Sequence, residues 1–179
     1  MIIRKANLSD AKSIAKIHYE SRELELSRTL GRILHESSLK EFERYWKLHF
    51  MNLKDETLVC EEANNIIGFI TYINGWKDKG SEKILVGVIS AIYISPVQLQ
   101  KGYGMTLIKE AMSKMKDKGT EEVFVWVIDN NNPAIRFYEK VGFAKESVTR
   151  VKNHNEAQVI ECRYRLFLSQ ELLNKIMLL

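Results

Sequence analysis

The sequence has few of the residues that define several protein classes. Its 179 residues include two cysteines, Cys60 and Cys162, and their separation matches neither a metal-binding motif nor a disulfide framework. With two prolines and nine glycines, the chain is a poor fit to collagen or a low-complexity protein. It has no apolar run near the roughly 20 residues that cross a bilayer, and its start lacks a signal-peptide core. We therefore expect a cytoplasmic protein with no metal site and no membrane association.

Charge of one sign is not concentrated anywhere either. The chain has 27 basic and 23 acidic residues, a formal net charge of +4 at pH 7, and both signs mixed along LKEFERYWK and KEAMSKMKDKG. Proteins that bind duplex DNA usually gather lysine and arginine on one face or helix. The pattern argues against a nucleic-acid partner, while the mild positive field suits an anionic, phosphate-bearing ligand.

The residues that are present are typical of one globular domain. Hydrophobic residues make up 45% of the chain and charged residues 28%, and single domains commonly have about 100–200 residues. Hydrophobic periodicity and turn residues predict one strand, two helices, three strands, a helix, a strand, a helix and two strands, in that order. We expect one mixed α/β domain over residues 1–179, made of a core at 1–168 and a helical tail at 169–179.

Three further segments have local patterns that predict their structure. The stretch Leu24–Ser37 has no clear period, so it is predicted to be a partly irregular connection between the first two helices. A long apolar strand ends at Pro96, and another buried strand covers Val123–Ile128. The following helix is predicted to begin at Pro133 with Asn132 as its cap.

The segment LQKGYGMTLIKEAM, residues 99–112, is the most informative local feature. It joins a strand to a helix, and Gly102 and Gly104 allow a tight turn and close approach of the backbone to a ligand. The helix start adds N–H groups and the positive end of its dipole, which suit a pyrophosphate. The segment equally suits a plain connection. It lacks the Gly-Lys-Ser/Thr of a nucleoside triphosphate loop and the third glycine of a dinucleotide fingerprint.

A second feature is NNPAIRFYEKVGF, residues 131–143. Phe137 and Tyr138 are adjacent on the predicted helix, so their side chains point about 100° apart. One of them is free to face the core while the other faces a cleft, although both also suit simple packing. Gly142 is expected to end this helix.

Taken together, the two features resemble the GNAT superfamily of acetyl-CoA-dependent N-acyltransferases. That family has a Gln/Arg-x-x-Gly-x-Gly/Ala loop after its fourth strand and, further along, an Asn-x-x-Ala-x-x-Phe-Tyr-Glu-x-x-Gly-Phe segment. This chain has LQKGYG and then, in register, Asn131, Ala134, Phe137, Tyr138, Glu139, Gly142 and Phe143. The opening IIRKANLSDAKSIAKIHYES and the closing ECRYRL are similar to bacterial members, so the resemblance spans almost the whole chain.

The resemblance implies both a fold and a reaction. The fold would be α/β of the α+β kind: a mixed, mostly antiparallel sheet of about six to seven strands, flanked by about four helices, with strands 4 and 5 splayed. The reaction would move acetyl from acetyl-CoA, the co-substrate, to a primary amine by direct attack in a ternary complex. The acceptor stays open among small amines, amino acids, antibiotics and protein amines. Apart from the resemblance, the leucine-rich composition of the tail predicts that it packs on the sheet or on a second subunit of a homodimer.

The resemblance also implies which residues hold the coenzyme. The exposed edge of the fourth strand, here Ile92, Tyr93 and Ile94, would hydrogen-bond the pantetheine arm, and an amide near Ile92 would polarise the thioester carbonyl. Asn131 would contact the pantetheine or adenosine side. The backbone amides that would cradle the pyrophosphate are those of Gln100, Lys101, Gly102, Tyr103, Gly104 and Met105, with the hydroxyl of Thr106 added.

In the same resemblance, Tyr138 would lie near the thioester sulfur and protonate the departing thiolate. A phenol suits this role because its unperturbed pKa of about 10 keeps it protonated at neutral pH. Tyr138 and Ile92 are therefore the predicted catalytic residues. The acceptor side would be walled by Leu24–Ser37 and its flanking helices, with Tyr72 and Trp76 nearby.

Two positions depart from the family's pattern. Leu99 stands where a glutamine or arginine usually opens the phosphate loop, which removes a side-chain contact but keeps the amides. Val88 stands where many relatives have a glutamate as general base. The amine therefore arrives neutral, or a water chain or another carboxylate takes its proton. Glu161, Glu23 and Glu25 are the candidate carboxylates, and each also suits a purely structural role.

Two other classes of function stay open at this point. A non-catalytic acyl-CoA-binding sensor or scaffold of the same fold would agree with Val88 and Leu99, and amine-independent binding without thiol release would identify it. A basic nucleic-acid-binding module would show salt-sensitive retention on DNA that is unaffected by coenzyme A. An acyl-enzyme on Cys162 would need an activated thiolate, so this residue is expected to be a small core residue.

Overall fold

A computed structural model describes residues 1–31, 38–52, 55–76, 85–154 and 157–178 of the chain. In chain order the helices and strands are β1 (Ile2–Lys5), α1 (Ala11–Leu30), α2 (Leu39–Asn52), β2 (Glu56–Glu62), β3 (Asn65–Trp76), β4 (Val86–Ile94), α3 (Tyr103–Asp117), β5 (Glu122–Ile128), α4 (Asn132–Val141), β6 (Ala144–His154), β7 (Ala157–Phe167) and α5 (Gln170–Met177). Short 3-10 turns precede α1 and follow β4. The predicted order of elements is confirmed, with five α-helices in the described residues instead of about four.

The seven strands form one sheet in the order β1-β2-β3-β4-β5-β7-β6. The pair β4–β5 is parallel, with Val86–Ile89 beside Glu122–Val125. The pairs β1–β2, β2–β3, β5–β7 and β6–β7 are antiparallel. A parallel pair needs a crossover connection, and α3 lies in the connection between β4 and β5. The prediction of a mixed, mostly antiparallel sheet is confirmed, and the register of β4 with β5 ends at Ile89 although β4 continues to Ile94.

The chain packs as two compact units. The first unit consists of Met1–Tyr72 and Ala91–Ala111, and the second of Ile73–Ser90 and Met112–Leu179. The single domain predicted over residues 1–179 stays a prediction. In the part of the chain that the structure describes, no helix is both long and apolar enough to cross a membrane.

The core of the first unit lies where α1 and α2 pack on the sheet. Ile14, Trp46 and Phe69 are fully buried there. The indole Nε1 of Trp46 donates to Nδ1 of His18 over 3.2 Å. An indole nitrogen only donates, so Nδ1 of His18 is the acceptor of this bond and carries no proton. His18 is therefore a packed, hydrogen-bonded histidine within an aromatic core.

The helix α1 is longer than its hydrophobic pattern indicates. It continues to Leu30 and ends at Gly31, whose φ of 67° is left-handed and whose N–H donates to the carbonyl of Ser27. The predicted irregular connection was therefore wrong over Leu24–Leu30, and residues 32–37 lie outside the described residues. The segment SRELELSRTL has no apolar period but is rich in Glu, Leu and Arg, which are good helix formers.

In the second unit, the C-terminal part of α3 packs on β4. A Cβ at Gly87 on β4 would lie 2.9 Å from the sulfur of Met115, so glycine lets α3 pack close to the strand. The hydroxyl of Ser169 accepts the N–H of Leu172 at 3.1 Å and caps α5. A Cβ at Gly142 would lie 3.4 Å from Leu172. The tail helix therefore packs on its own chain, beside the end of α4.

Arg4 on β1 links two carboxylates in the first unit. Its guanidinium donates to both oxygens of Asp10, at 2.7 and 2.9 Å, and to Glu61 at 2.7 Å. Asp10 is buried and also accepts the backbone N–H of Asn7 at 2.9 Å. These bonds stabilise the charged carboxylate, and the Arg4 guanidinium is the main reason that the pKa of Asp10 lies below its usual range.

We expect Asp10→Asn to lower the free energy of unfolding by about 1–3 kcal/mol at neutral pH, because it removes a charged, bidentate partner of Arg4. The folded-state pKa of Asp10 is depressed. Its contribution is therefore complete above the unfolded-state pKa of about 4 and is lost as the pH falls through the folded-state pKa. Denaturant unfolding of both proteins at neutral and strongly acidic pH measures this. A deficit of equal size at both pH values would contradict it.

Candidate functional site

The end of β4 presents peptide groups in two directions. The N–H of Ser95 donates to the carbonyl of Ile67 on β3 at 2.8 Å. Because N–H and C=O of a trans peptide point in opposite directions, the carbonyl of Ile94 faces away from β3. Alternation along the strand places the peptide groups of Ile92 on that same side and those of Tyr93 toward β3. Of the three residues predicted for the edge, Ile92 and Ile94 direct their backbone groups away from β3, and Tyr93 directs its backbone groups toward β3.

Gly68 on β3 determines how closely this end of β4 packs. A Cβ at Gly68 would overlap the Cδ1 atom of Ile94 and would lie 2.8 Å from the carbonyl oxygen of Tyr93. The close approach of the two strands therefore requires glycine. We did not assign Gly68 a role from the sequence. An isolated glycine within a strand pattern is the signal that indicates such an approach.

The loop between β4 and α3 has the backbone shape of an anion site. Gln100 and Gly102 both have positive φ, 64° and 88°, and α3 begins directly afterwards at Tyr103, with Gly104 and Met105 in its first turn. The first N–H groups of a helix have no acceptor within the helix and carry the positive end of its dipole. A Cβ at Gly102 would meet nothing within 4 Å, so glycine is favoured there by its φ rather than by lack of space. This backbone fits the predicted diphosphate.

Three side chains of this loop have protein partners. The ammonium of Lys101 donates to a neighbouring glutamine at 2.7 Å. The phenol of Tyr103 donates to Glu62 at 2.6 Å and joins the start of α3 to the end of β2. The hydroxyl of Thr106, predicted to reach the diphosphate, donates to the carbonyl of Gly102 at 3.3 Å. The suitability of the loop for an anion therefore depends chiefly on its backbone amides.

The C-terminal half of α1 contacts the end of β4. The hydroxyl of Ser21 donates to the carbonyl of Ile94 at 3.0 Å. One helical turn later, Oε2 of Glu25 accepts the phenolic hydrogen of Tyr93 at 3.3 Å. Residues four apart lie on the same face of a helix, so one face of α1 reaches both residues. Glu25, one of the three candidate proton acceptors, is thereby joined directly to the predicted edge strand.

The other residues predicted for the acceptor side have different surroundings. Glu161 on β7 is buried and forms an ion pair with Arg150 at 2.6 Å. Glu23 is half-buried on α1. Tyr72 is fully buried and its hydroxyl donates to a glutamate on β2 at 3.4 Å, and its place near the acceptor side stays a prediction. The side chain of Trp76 lies outside the described residues.

Asn131 caps α4. Its Oδ1 accepts the N–H of Ala134 at 3.3 Å, and Asn132 is the first helical residue, followed by Pro133. The prediction of Asn132 as the cap was therefore wrong by one residue. Both asparagines suit a cap by type, and only the backbone path selects between them. The amide of Asn131, predicted to contact the coenzyme, thus also has a structural role.

Tyr138 is the buried member of the adjacent aromatic pair on α4. It is 6% exposed, whereas Phe137 is half-buried. Its ring meets those of Phe137 and Phe143 edge to face, with centroids 5.2 and 5.5 Å away. Packing therefore holds the phenol in one orientation, as a proton donor with a defined target requires.

The surroundings of each cysteine keep its thiol protonated and do not activate it as a nucleophile. Burial raises the pKa of Cys60 and that of Cys162. The thiol of Cys162 donates to Asp129 at 3.0 Å, and Lys145 donates to the same oxygen at 2.7 Å. Both hydrogen bonds lower the pKa of Asp129 below its usual range, and the bond from the Cys162 thiol has the larger effect. A thiol kept protonated is a poor nucleophile, so this arrangement favours direct transfer over a cysteine acyl-enzyme.

Comparison with known proteins gives consistent results. Residues 19–143 match the model of the Acetyltransferase (GNAT) family. The uncharacterized N-acetyltransferase YuaI of Bacillus subtilis (strain 168) is 29% identical over 138 residues, 76% of each chain. The N-alpha-acetyltransferase of Sulfurisphaera tokodaii is 28% identical over 153 residues, 83% of each chain. YncA of Salmonella typhimurium, solved with its cofactor acetyl-CoA, aligns over 95% of each chain with a TM-score of 0.68 and 17% identity, which shows a common fold.

The capping by Asn131 and its predicted contact with the coenzyme are separable by substitution. Asn131→Ala should lower the free energy of unfolding by about 1 kcal/mol, because α4 loses its cap. Asn131→Asp keeps an acceptor at the cap but loses the amide donor and adds a charge. It should therefore retain wild-type stability and bind acetyl-CoA several-fold more weakly. Thermal unfolding and titration calorimetry measure the two effects, and undiminished binding by the aspartate variant would limit Asn131 to capping.

Proposed function

The chain belongs to the Acetyltransferase (GNAT) family, and we propose that it transfers the acetyl group of acetyl-CoA to a primary amine by direct attack in a ternary complex. The observation that carries this proposal is the loop between β4 and α3. There, positive φ at Gln100 and Gly102 leads directly into the start of a 15-residue helix. Successive amides in that geometry suit the diphosphate of the coenzyme.

The coenzyme would be held by backbone groups along its length. In the proposal, the diphosphate lies against the amides of the loop and the pantetheine arm lies beside Ile92 and Ile94. The coenzyme supplies an acetyl group activated as a thioester. Support comes from the alternation of peptide groups along β4, which turns those of Ile92 away from β3, and from YncA, the structural neighbour solved with acetyl-CoA. The amides assigned to the diphosphate are those of Gln100, Lys101, Gly102, Tyr103, Gly104 and Met105.

Two residues would act on the reacting atoms. The N–H of Ile92 donates to the carbonyl oxygen of the acetyl group, where negative charge develops. The phenol of Tyr138 donates its proton to the sulfur as the carbon–sulfur bond breaks. The amine nitrogen forms the new bond to the acetyl carbon and loses one proton. The sulfur gains one proton, so the transfer is balanced overall.

The acceptor would enter beside the C-terminal half of α1, which contacts the end of β4 through Ser21 and Glu25. A protein or peptide N-terminus is one acceptor to be tested, since the Sulfurisphaera tokodaii relative is named an N-alpha-acetyltransferase. Small amines and lysine side chains are the others. The proposal includes a cytoplasmic location, in which thiols such as Cys60 and Cys162 stay reduced. A homodimer stays a prediction.

Purified protein should release thiol from acetyl-CoA in the presence of at least one member of an amine panel. The panel includes diamines, amino acids, aminoglycosides and peptides with free N-termini, and a thiol reagent reports the release. Titration calorimetry with coenzyme A alone should show association. Association without release for any amine would support the acyl-CoA sensor instead, and no association would contradict both functions.

Tyr138→Phe should lower turnover at least tenfold and leave the dissociation constant for acetyl-CoA within about twofold, because it removes the proton donor and keeps the packed ring. Tyr45→Phe is the matched control, since Tyr45 is an exposed phenol on α2, and its turnover should equal that of the wild type. Steady-state rates and calorimetry check both variants. A Tyr138→Phe enzyme with the wild-type rate across neutral pH would remove Tyr138 from the acid role.

A further inference from the structure

We propose that Tyr93 and Glu25 form the route by which the attacking amine loses its proton. The inference rests on the proposed acetyl transfer and supplies a proton acceptor for a chain that has Val88, half-buried on β4, where many relatives have a glutamate. It is supported by the hydrogen bond between Tyr93 and Glu25, which are 68 positions apart in the sequence.

Packing against neighbouring rings fixes the position of Tyr93. Its peptide directly follows Ile92, whose N–H is assigned to the acetyl carbonyl. Its ring stacks with His18, with centroids 4.7 Å apart, and lies 5.8 Å from the ring of Phe69. The indole of Trp46 fixes His18 in turn. The phenolic oxygen is therefore held at one place on the α1 side of the strand.

The carboxylate of Glu25 is held beside this phenol by hydrogen bonds. Oε2 of Glu25 accepts from Arg22 at 2.6 Å and from the phenol of Tyr93 at 3.3 Å. The side chains of Arg22 and Glu25 are 13% and 17% exposed. The guanidinium keeps the carboxylate in place beside the phenol. The remaining exposure lets a proton pass from Glu25 to water.

The proton movement follows the existing hydrogen bond. As the amine nitrogen bonds to the acetyl carbon, its proton moves to the phenolic oxygen of Tyr93, and the phenol's own proton moves to Oε2 of Glu25. Tyr93 ends as a neutral phenol, and Glu25 ends protonated and then releases its proton to water. Tyr138 gives one proton to the sulfur and takes one back from water. No proton is gained or lost overall.

The surroundings of this pair contain few other titratable groups among the described contacts. On α1 they are Arg22 and His18. From β3 the neighbour is Phe69, and from α2 the rings of Phe42 and Trp46 face His18. Arg22 and His18 are retained in both variants, so the pH profile is compared at a constant set of these neighbours.

The test uses Tyr93→Phe, Glu25→Gln and the double variant in a thiol-release assay with an amine that the wild type acetylates. Each single variant should lower kcat at least tenfold, within the range of general acid–base catalysis, and leave the KM for acetyl-CoA within about threefold. The double variant should be no slower than the slower single variant, because both residues serve one route. The deficit should shrink as the pH rises and solvent base takes the proton.

Two further variants separate this role from a structural one. Glu20→Gln removes a carboxylate of the same helix that pairs with Lys16 at 3.8 Å, and its kcat should equal that of the wild type. Glu25→Asp should recover part of the activity. Thermal unfolding confirms that each variant is folded. Should Glu25→Gln not fold, Tyr93→Phe still tests the route, because it leaves the Arg22–Glu25 pair intact.

The outcomes distinguish the two proposals. A wild type that acetylates no amine overturns the proposed function, and the proton route with it. A wild type that turns over, with Tyr93→Phe retaining its kcat and pH profile, overturns the route alone. Additive losses in the double variant also overturn it, because independent losses mean that the two side chains do not act in one route.

Discussion

The direction of the peptide groups at the end of β4 is the constraint on which the whole site depends. The bond from Ser95 to Ile67 turns the Ile94 carbonyl away from β3, and Gly68 lets the two strands approach closely enough to hold that arrangement. If this end of the strand were rotated by one residue, the backbone groups of Ile92 and Ile94 would face β3 and could not take part in the proposed binding of the pantetheine arm. Tyr93 would then no longer face α1.

The helix α1 contributes more to the site than its weak amphipathicity indicates. Its polar residues Ser21 and Glu25 bond to the end of β4, and Arg22 neutralises the carboxylate that such a contact partly buries. A charge removed from water needs a partner and hydrogen bonds to remain charged there. The polar pattern that hid this part of the helix from periodicity analysis is thus explained by what the side chains contact.

The features that were predicted correctly are those encoded by nearby residues. The end of α4 shows this: Gly142 was expected to end the helix, and it is the residue that does so, with a left-handed φ of 112°. The errors arose where local chemistry allows two answers. Asn131 and Asn132 are equivalent as caps until the backbone path is known, and Leu24–Leu30 carries helix formers without a period, so Gly31 alone marks the end.

By itself, the sequence determined the order of strands and helices, the glycine-containing loop between β4 and α3, the two motifs and the family to which they belong. These are short-range properties, set by φ preferences, turn residues and periodicity. Only the tertiary structure decided that Tyr72 is buried, that the thiol of Cys162 donates to Asp129, and that Glu25 bonds Tyr93. Such contacts join residues far apart in the chain. They depend on how helices settle on the sheet, which no local pattern specifies.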